Sequence, residues 1–285
     1  MLVAIAALFA GHLAFAWRFQ RGIVFPGPRG PVCEGGADTS ARPRLLHPRR
    51  VHCADDVAPG VDAVLSVSTD EGVSRAWWLL GDGRSAASPG PMVLFAHGNG
   101  ESVDDWVEPL EAYRRAGVSV LLPEYRGYGR SDGSPTEAHL VDDATRLLDL
   151  ALERPEVDRS RVVLHGRSLG SGVACGVAAR RAPRVLVIQS GFASLARLMR
   201  RWLIPRPFVR DPFDNEAVLR DLDVPVLILH GTRDAVIPFS HGERLARAAR
   251  NGTLHALDCA HSDCPFATLW QHIEPFLRAH GVLDE

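Results

Sequence analysis

The sequence contains no lysine: all 32 basic residues are arginine. That absence excludes a Walker-type nucleotide site, a protein-kinase active site, a Schiff-base enzyme and a pyridoxal-phosphate enzyme, each of which depends on an ε-amine. An excess of charge of either sign is lacking as well. The 34 acidic residues leave a formal net charge of −2, so there is no basic footprint for nucleic acid. Cysteine is scarce, with five residues at positions 33, 53, 175, 259 and 264. They form no Cys-x-x-Cys pair, and the odd count does not suggest a disulfide framework. Cys175, among small residues, reads as a buried space filler. The cluster Asp258-Cys259-Ala260-His261-Ser262-Asp263-Cys264 carries thiols, an imidazole and carboxylates, the side chains that ligate zinc. Neighbours in a tight loop rarely converge on one tetrahedron, and no second ligand cluster exists elsewhere, so no metal is expected. A Cys259–Cys264 or Cys33–Cys53 disulfide is conceivable in an oxidising compartment. No organic cofactor is implied.

What is present reads as one α/β domain, consistent with 285 residues and 46% apolar composition. Residues 1–17 carry no charged side chain and are just long enough to span a bilayer as a tilted helix. A signal peptide cleaved after Ala14-Phe15-Ala16 and a helix packed on the domain are the competing readings. If the segment is an anchor, Arg18, Arg21 and Arg29 just beyond it weakly favour a cytoplasmic domain. Residues 18–60 are rich in proline, glycine and arginine and lack period, as a linker does. From residue 61 to 285 the pattern is regular. Val61 to Val67 and Val73 to Leu80 read as an antiparallel hairpin. Apolar strands follow at Met92 to Ala96, Val118 to Leu122, Val162 to Leu164, Val185 to Ile188, Val226 to Leu229 and Thr253 to Leu257. Helical patterns alternate with them at Val103 to Ala116, Pro135 to Arg154, Leu169 to Arg181, Phe239 to Ala249 and Pro265 to His280. Such alternation predicts a mostly parallel sheet with helices on both faces and a site at the carboxyl ends of the strands.

Four loops after predicted strands carry the groups that acyl transfer needs. Gly166-Arg167-Ser168-Leu169-Gly170 lies between a strand and a small-residue helix, where a serine is held out of both elements on a sharp turn. Gly129-Arg130-Ser131-Asp132-Gly133 matches the same five-residue pattern. It follows a polar loop, however, and Pro135 separates it from the next helix, so Ser131 reads as a turn residue. His97-Gly98-Asn99-Gly100 can turn a backbone N–H of Asn99 towards a developing oxyanion, and Leu169 offers a second. His230-Gly231-Thr232-Arg233-Asp234 places a carboxylate beyond a strand, and His261 lies in the last such loop. A serine hydroxyl attacks poorly until an imidazole removes its proton, and that imidazole needs a carboxylate to fix its tautomer. Ser168, His261 and Asp234 are therefore the candidate nucleophile, base and acid. His97, His165 and His230 each sit directly at a strand end before glycine, where packing and loop hydrogen bonds are the expected roles.

Taken with Tyr125-Arg126-Gly127-Tyr128-Gly129-Arg130-Ser131 and Asp234-Ala235-Val236-Ile237-Pro238, these motifs resemble the serine hydrolases of the α/β-hydrolase superfamily, most closely a Bem46-like, membrane-anchored subgroup. The resemblance covers Val61 to the end. It implies the α/β-hydrolase fold, with Ser168 as nucleophile, Asp234 as acid, His261 as base, and the Asn99 and Leu169 amides as oxyanion hole. Glu124 stands where many relatives have aspartate, a departure that reads as structural. The resemblance also favours an anchor at residues 1–17. Residues 191–223 form a connection longer than the fold requires and are expected to cap the site. Their apolar and basic middle, from Arg197 to Arg210, reads as a cap that packs on the strand ends and exposes its arginines, with a membrane-resting segment that admits a lipid-like acyl substrate as the other reading. The expected activity is hydrolysis of esters or thioesters through an acyl-enzyme on Ser168. A peptidase or amidase on the same triad is the alternative, and a binding protein that keeps the fold without the chemistry comes third.

Overall fold

The computed structural model describes residues 2–27 and 57–284. Most of the expected linker, with Cys33, Cys53 and Arg29, lies outside the described residues. Eight strands form one sheet: β1 (Ala63–Thr69), β2 (Gly72–Leu79), β3 (Gly90–Ala96), β4 (Ser119–Glu124), β5 (Val157–Arg167), β6 (Val185–Gln189), β7 (Pro225–Gly231) and β8 (Asn251–Leu257). Their spatial order is β1-β2-β4-β3-β5-β6-β7-β8. The hairpin β1–β2 is antiparallel and so is β2 against β4; every later pairing is parallel. This is the mostly parallel sheet with an antiparallel N-terminal pair that the sequence predicts.

The sheet is buried on both faces because its central strands carry continuous apolar runs, such as Met92–Ala96 in β3 and Val162–Leu164 in β5. Along β3, Met92, Leu94 and Ala96 join one core and Val93 and Phe95 the other, as the two-residue period of a strand requires. Helices α3 (Glu137–Leu152), α4 (Gly170–Arg180), α6 (Asn215–Asp221) and α7 (Ser240–Ala248) cover the first core. Helices α2 (Glu111–Arg115) and α8 (Phe266–Ala279) cover the second. The single helix expected from Val103 to Ala116 is instead a 3-10 turn at Val103–Trp106 followed by α2. Pro109 lies between them, where it lacks an N–H and disfavours helical backbone at Glu108. The connection from β6 to β7 carries short helical pieces separated by irregular chain: α5 (Leu195–Met199), 3-10 turns at Arg200–Trp202 and Arg206–Phe208, and α6.

The expected membrane-spanning segment requires correction. Among the described residues no helix is long and apolar enough to cross a membrane. Helix α1 (Leu2–Val24) continues through Arg18 and Arg21 and lies against the β6–β7 connection. It buries Leu13, Ala16, Gln20 and Val24, which are spaced to share one helix face. Gln20 donates to the Phe208 carbonyl at 3.0 Å and accepts from the Arg210 amide at 2.9 Å. Arg21 pairs with buried Asp211 at 2.8 Å, and His12 Nε2 bonds the Trp202 carbonyl at 2.9 Å. Polar side chains committed to protein partners in this way explain why the segment packs on the domain, the third of the sequence readings.

Candidate active site

The turn between β5 and α4 can be this sharp only because two positions lack a β-carbon. One added at Gly170 would lie 1.9 Å from the Ala96 carbonyl oxygen, and one at Gly166 would lie 2.3 Å from that of Gly170. Ser168, between them, adopts a left-handed backbone with φ 51°, which a non-glycine residue accepts at a cost of about 1–3 kcal/mol. The conformation is held by the Ser168 amide donating to the Gln189 carbonyl at 2.9 Å and by Ser171 Oγ donating to the Ser168 carbonyl at 2.6 Å.

From the neighbouring strand ends come the other two side chains, and the structure brings all three together. His261 Nε2 lies 3.0 Å from Ser168 Oγ, and His261 Nδ1 lies 2.7 Å from Asp234 Oδ2. Asp234 Oδ1 accepts from the Val236 and Ile237 amides at 2.9 and 2.7 Å, so the carboxylate has one orientation. Burial alone would raise the Asp234 carboxyl, yet the hydrogen bond and charge of His261 hold it below the usual carboxylate range. Asn99 and Leu169 line the same cavity as Ser168 and His261. Among the described residues neither backbone amide donates to a protein acceptor, so both remain available. The cavity measures about 580 Å³ and is walled by α1, α5 and the Trp202–Ile204 turn.

The competing side chains are accounted for elsewhere. Ser131 Oγ donates to the Glu124 carbonyl at 2.8 Å and accepts from the Arg75 amide at 2.9 Å, tying the hairpin to β4. His97, His165 and His230 are fully buried. Burial lowers His97 to about 4 and His165 to about 3, which keeps both neutral. His230 Nε2 bonds the Ile237 carbonyl at 2.8 Å and so supports the Asp234 turn. Cys259 and Cys264 are joined in a disulfide with Cα atoms 5.5 Å apart, so neither thiolate is available to a metal.

One arrangement was not anticipated from the sequence. Arg167, next to the serine, forms an ion pair with Glu101, whose other oxygen accepts from the Gly98 amide at 2.6 Å and from Trp106 Nε1 at 3.0 Å. Its second nitrogen reaches Ser262 Oγ at 3.3 Å. Burial lowers the Arg167 guanidinium to about 10, a shift that Asp234 opposes. This pair connects the serine turn, the Asn99 loop and the His261 loop. Its only sequence signal is an arginine at the variable position of the turn.

Comparison with known proteins accords with this geometry. The alpha/beta hydrolase family matches residues 93–212. An uncharacterized protein of Mycobacterium tuberculosis is 33% identical over 253 residues, covering 87% of this chain and 82% of its own length. The chain belongs to the alpha/beta hydrolase family. The bem46 protein of Schizosaccharomyces pombe is similar to this hydrolase at 24% identity over 237 residues, 79% of this chain and 73% of its own. Among solved structures, esterase 2 of Thermogutta terrifontis phosphoramylated by tabun superimposes with a TM-score of 0.66 at 17% identity, covering 80% of this chain and 97% of that one. Est1E of Butyrivibrio proteoclasticus does so with a TM-score of 0.63 at 17% identity, over 76% and 98%. At these identities the likeness establishes the fold of the hydrolase.

Proposed function

We propose that residues 61–285 form a serine hydrolase domain, capped by 191–223, that cleaves carboxylic esters or thioesters through an acyl-enzyme on Ser168. The observation that carries this reading is the unbroken chain from Ser168 Oγ through His261 to buried Asp234, with Ser168 and His261 in the lining of a cavity. His261 Nε2 takes the serine proton as Oγ attacks the substrate carbonyl, and Asp234 stabilises the imidazolium. The Asn99 and Leu169 amides receive the developing oxyanion, each contributing about 10²–10³ in rate. His261 then protonates the departing alkoxide or thiolate. Water, deprotonated by the same imidazole, releases the acid. That one structural neighbour is an esterase phosphoramylated by tabun, a phosphorylating agent, is in keeping with this assignment.

The test is labelling by a fluorophosphonate probe, followed by turnover of p-nitrophenyl esters beside a matched thioester and a matched amide. The wild type should be labelled and should cleave the ester or thioester faster than the amide. Ser168→Ala should lose labelling and at least about 10⁴ in turnover. Equal labelling of both proteins would refute the nucleophile assignment, and faster amide cleavage would make the chain an amidase.

A further inference from the structure

The cavity that opens on Ser168 is bounded on one side by a helix outside the sheet domain. His12, Phe15, Ala16, Gln20, Ile23 and Val24 of α1 line the same space as Ser168 and His261. The polar members of that set are already committed. The Gln20 side chain bonds the Phe208 carbonyl, the Trp17 carbonyl and the Arg210 amide, and His12 Nε2 bonds the Trp202 carbonyl. What α1 presents to a ligand is therefore aliphatic and aromatic surface. Leu195, Leu198 and Met199 of α5 line the same cavity. The cavity, of about 580 Å³, has the size of a small-molecule site. Polar groups that could address a carbonyl belong to the same lining, at Ser168, Asn99 and His261.

We propose that α1 is a substrate-binding element: its inner face forms one wall of an acyl-chain pocket, which makes the substrate a fatty-acyl ester or thioester. The inference rests on Ser168 being the nucleophile. The helix is held in place by Gln20, and by Arg21 on buried Asp211, which also accepts from the Glu137 amide at 3.0 Å. It is thus fastened to the first turn of α3 as well as to the cap. Phe15 and Ile23 are 60% and 63% exposed and mark the mouth by which a chain enters. Ala16 is 7% exposed, and its small side chain keeps the interior open.

The experiment uses the full chain and a p-nitrophenyl ester series from acetate to laurate. Each methylene buried against the wall should raise kcat/KM by up to about four-fold, until the chain outgrows the cavity. Ala16→Trp fills the interior and should lower the laurate-to-acetate ratio at least about ten-fold, in line with two or more methylenes excluded. Should that variant melt early, Phe15→Asp decides the matter, because it changes an exposed position and places a charge in the path of the chain. The same ratio should fall with it. Phe19→Ser, outside the cavity lining, should leave the ratio where it is. Fluorophosphonate labelling of the same samples separates the two ideas. An unlabelled wild type overturns the serine assignment, whereas a labelled wild type whose ratio moves with neither Ala16→Trp nor Phe15→Asp overturns the role of α1.

Discussion

Replacing Asp234 by asparagine removes one charge and almost no volume. The Val236 and Ile237 amides at 2.9 and 2.7 Å both need an acceptor, so the asparagine carbonyl takes the Oδ1 position. Its amide group is left facing His261 Nδ1 across the 2.7 Å contact. Both groups would then be donors if the imidazole kept its proton on Nδ1, so the tautomer reverses and the proton moves to Nε2. Nε2, 3.0 Å from Ser168 Oγ, then donates to the hydroxyl it should deprotonate. A wrong tautomer in such a triad costs about 10⁴ in kcat, or about 5 kcal/mol of barrier. Steady-state hydrolysis of a p-nitrophenyl ester, with thermal melting as the control for folding, measures it. A loss smaller than about ten-fold at an unchanged melting temperature would refute the argument, because Asp234 would then not be setting the proton on His261.

Two further outcomes follow from burial. Gly170→Ala drives a methyl group into the Ala96 carbonyl, 1.9 Å from the new carbon. Backbone there cannot yield without moving β3, so an overpacking cost of about 3 kcal/mol should lower the melting temperature by roughly 5–10 °C and abolish fluorophosphonate labelling. Glu124 is buried at the end of β4, where its carboxylate accepts from the Arg130 amide at 2.8 Å and burial raises it from 4.5 to about 7. Because the folded state holds this proton more tightly, the stabilisation is complete below pH 4.5 and is lost as pH rises through about 7. It amounts to about 3 kcal/mol at 1.36 kcal/mol per unit. Glu124→Gln should flatten the fall in melting temperature between those two pH values, and an identical slope in both proteins would rule the group out as its source.

The sheet was legible because its signal is local: a strand buried on both faces is an almost unbroken apolar run, as in Met92–Ala96 of β3, Val185–Ile188 of β6 and Val226–Leu229 of β7. Ser168 could be separated from Ser131 because only one of the two matching turns lies between a strand and a helix. Asp234 and His261 followed from loop position and chain order, which the topology converts into proximity. Other features depended on distant partners. Whether an apolar segment faces lipid or protein is not encoded in its composition, and residues 1–17 read as an anchor until Gln20 and Arg21 found Phe208, Arg210 and Asp211. Arg167 and Glu101 are 66 positions apart, and nothing local to either announces the pair. The break at Pro109 was visible in the sequence but outweighed by the apolar period around it.

The bond between Cys259 and Cys264 encloses His261 in a ring of six residues. A closure that short limits the unfolded chain by only about 2 kcal/mol, so its larger effect is local. Unravelling that begins at the start of α8 or at the exit of β8 must stop at the ring, and the imidazole is insulated from fraying on either side. In the proposed mechanism the residue that shuttles a proton twice per turnover is also the one whose backbone is clasped covalently at both ends.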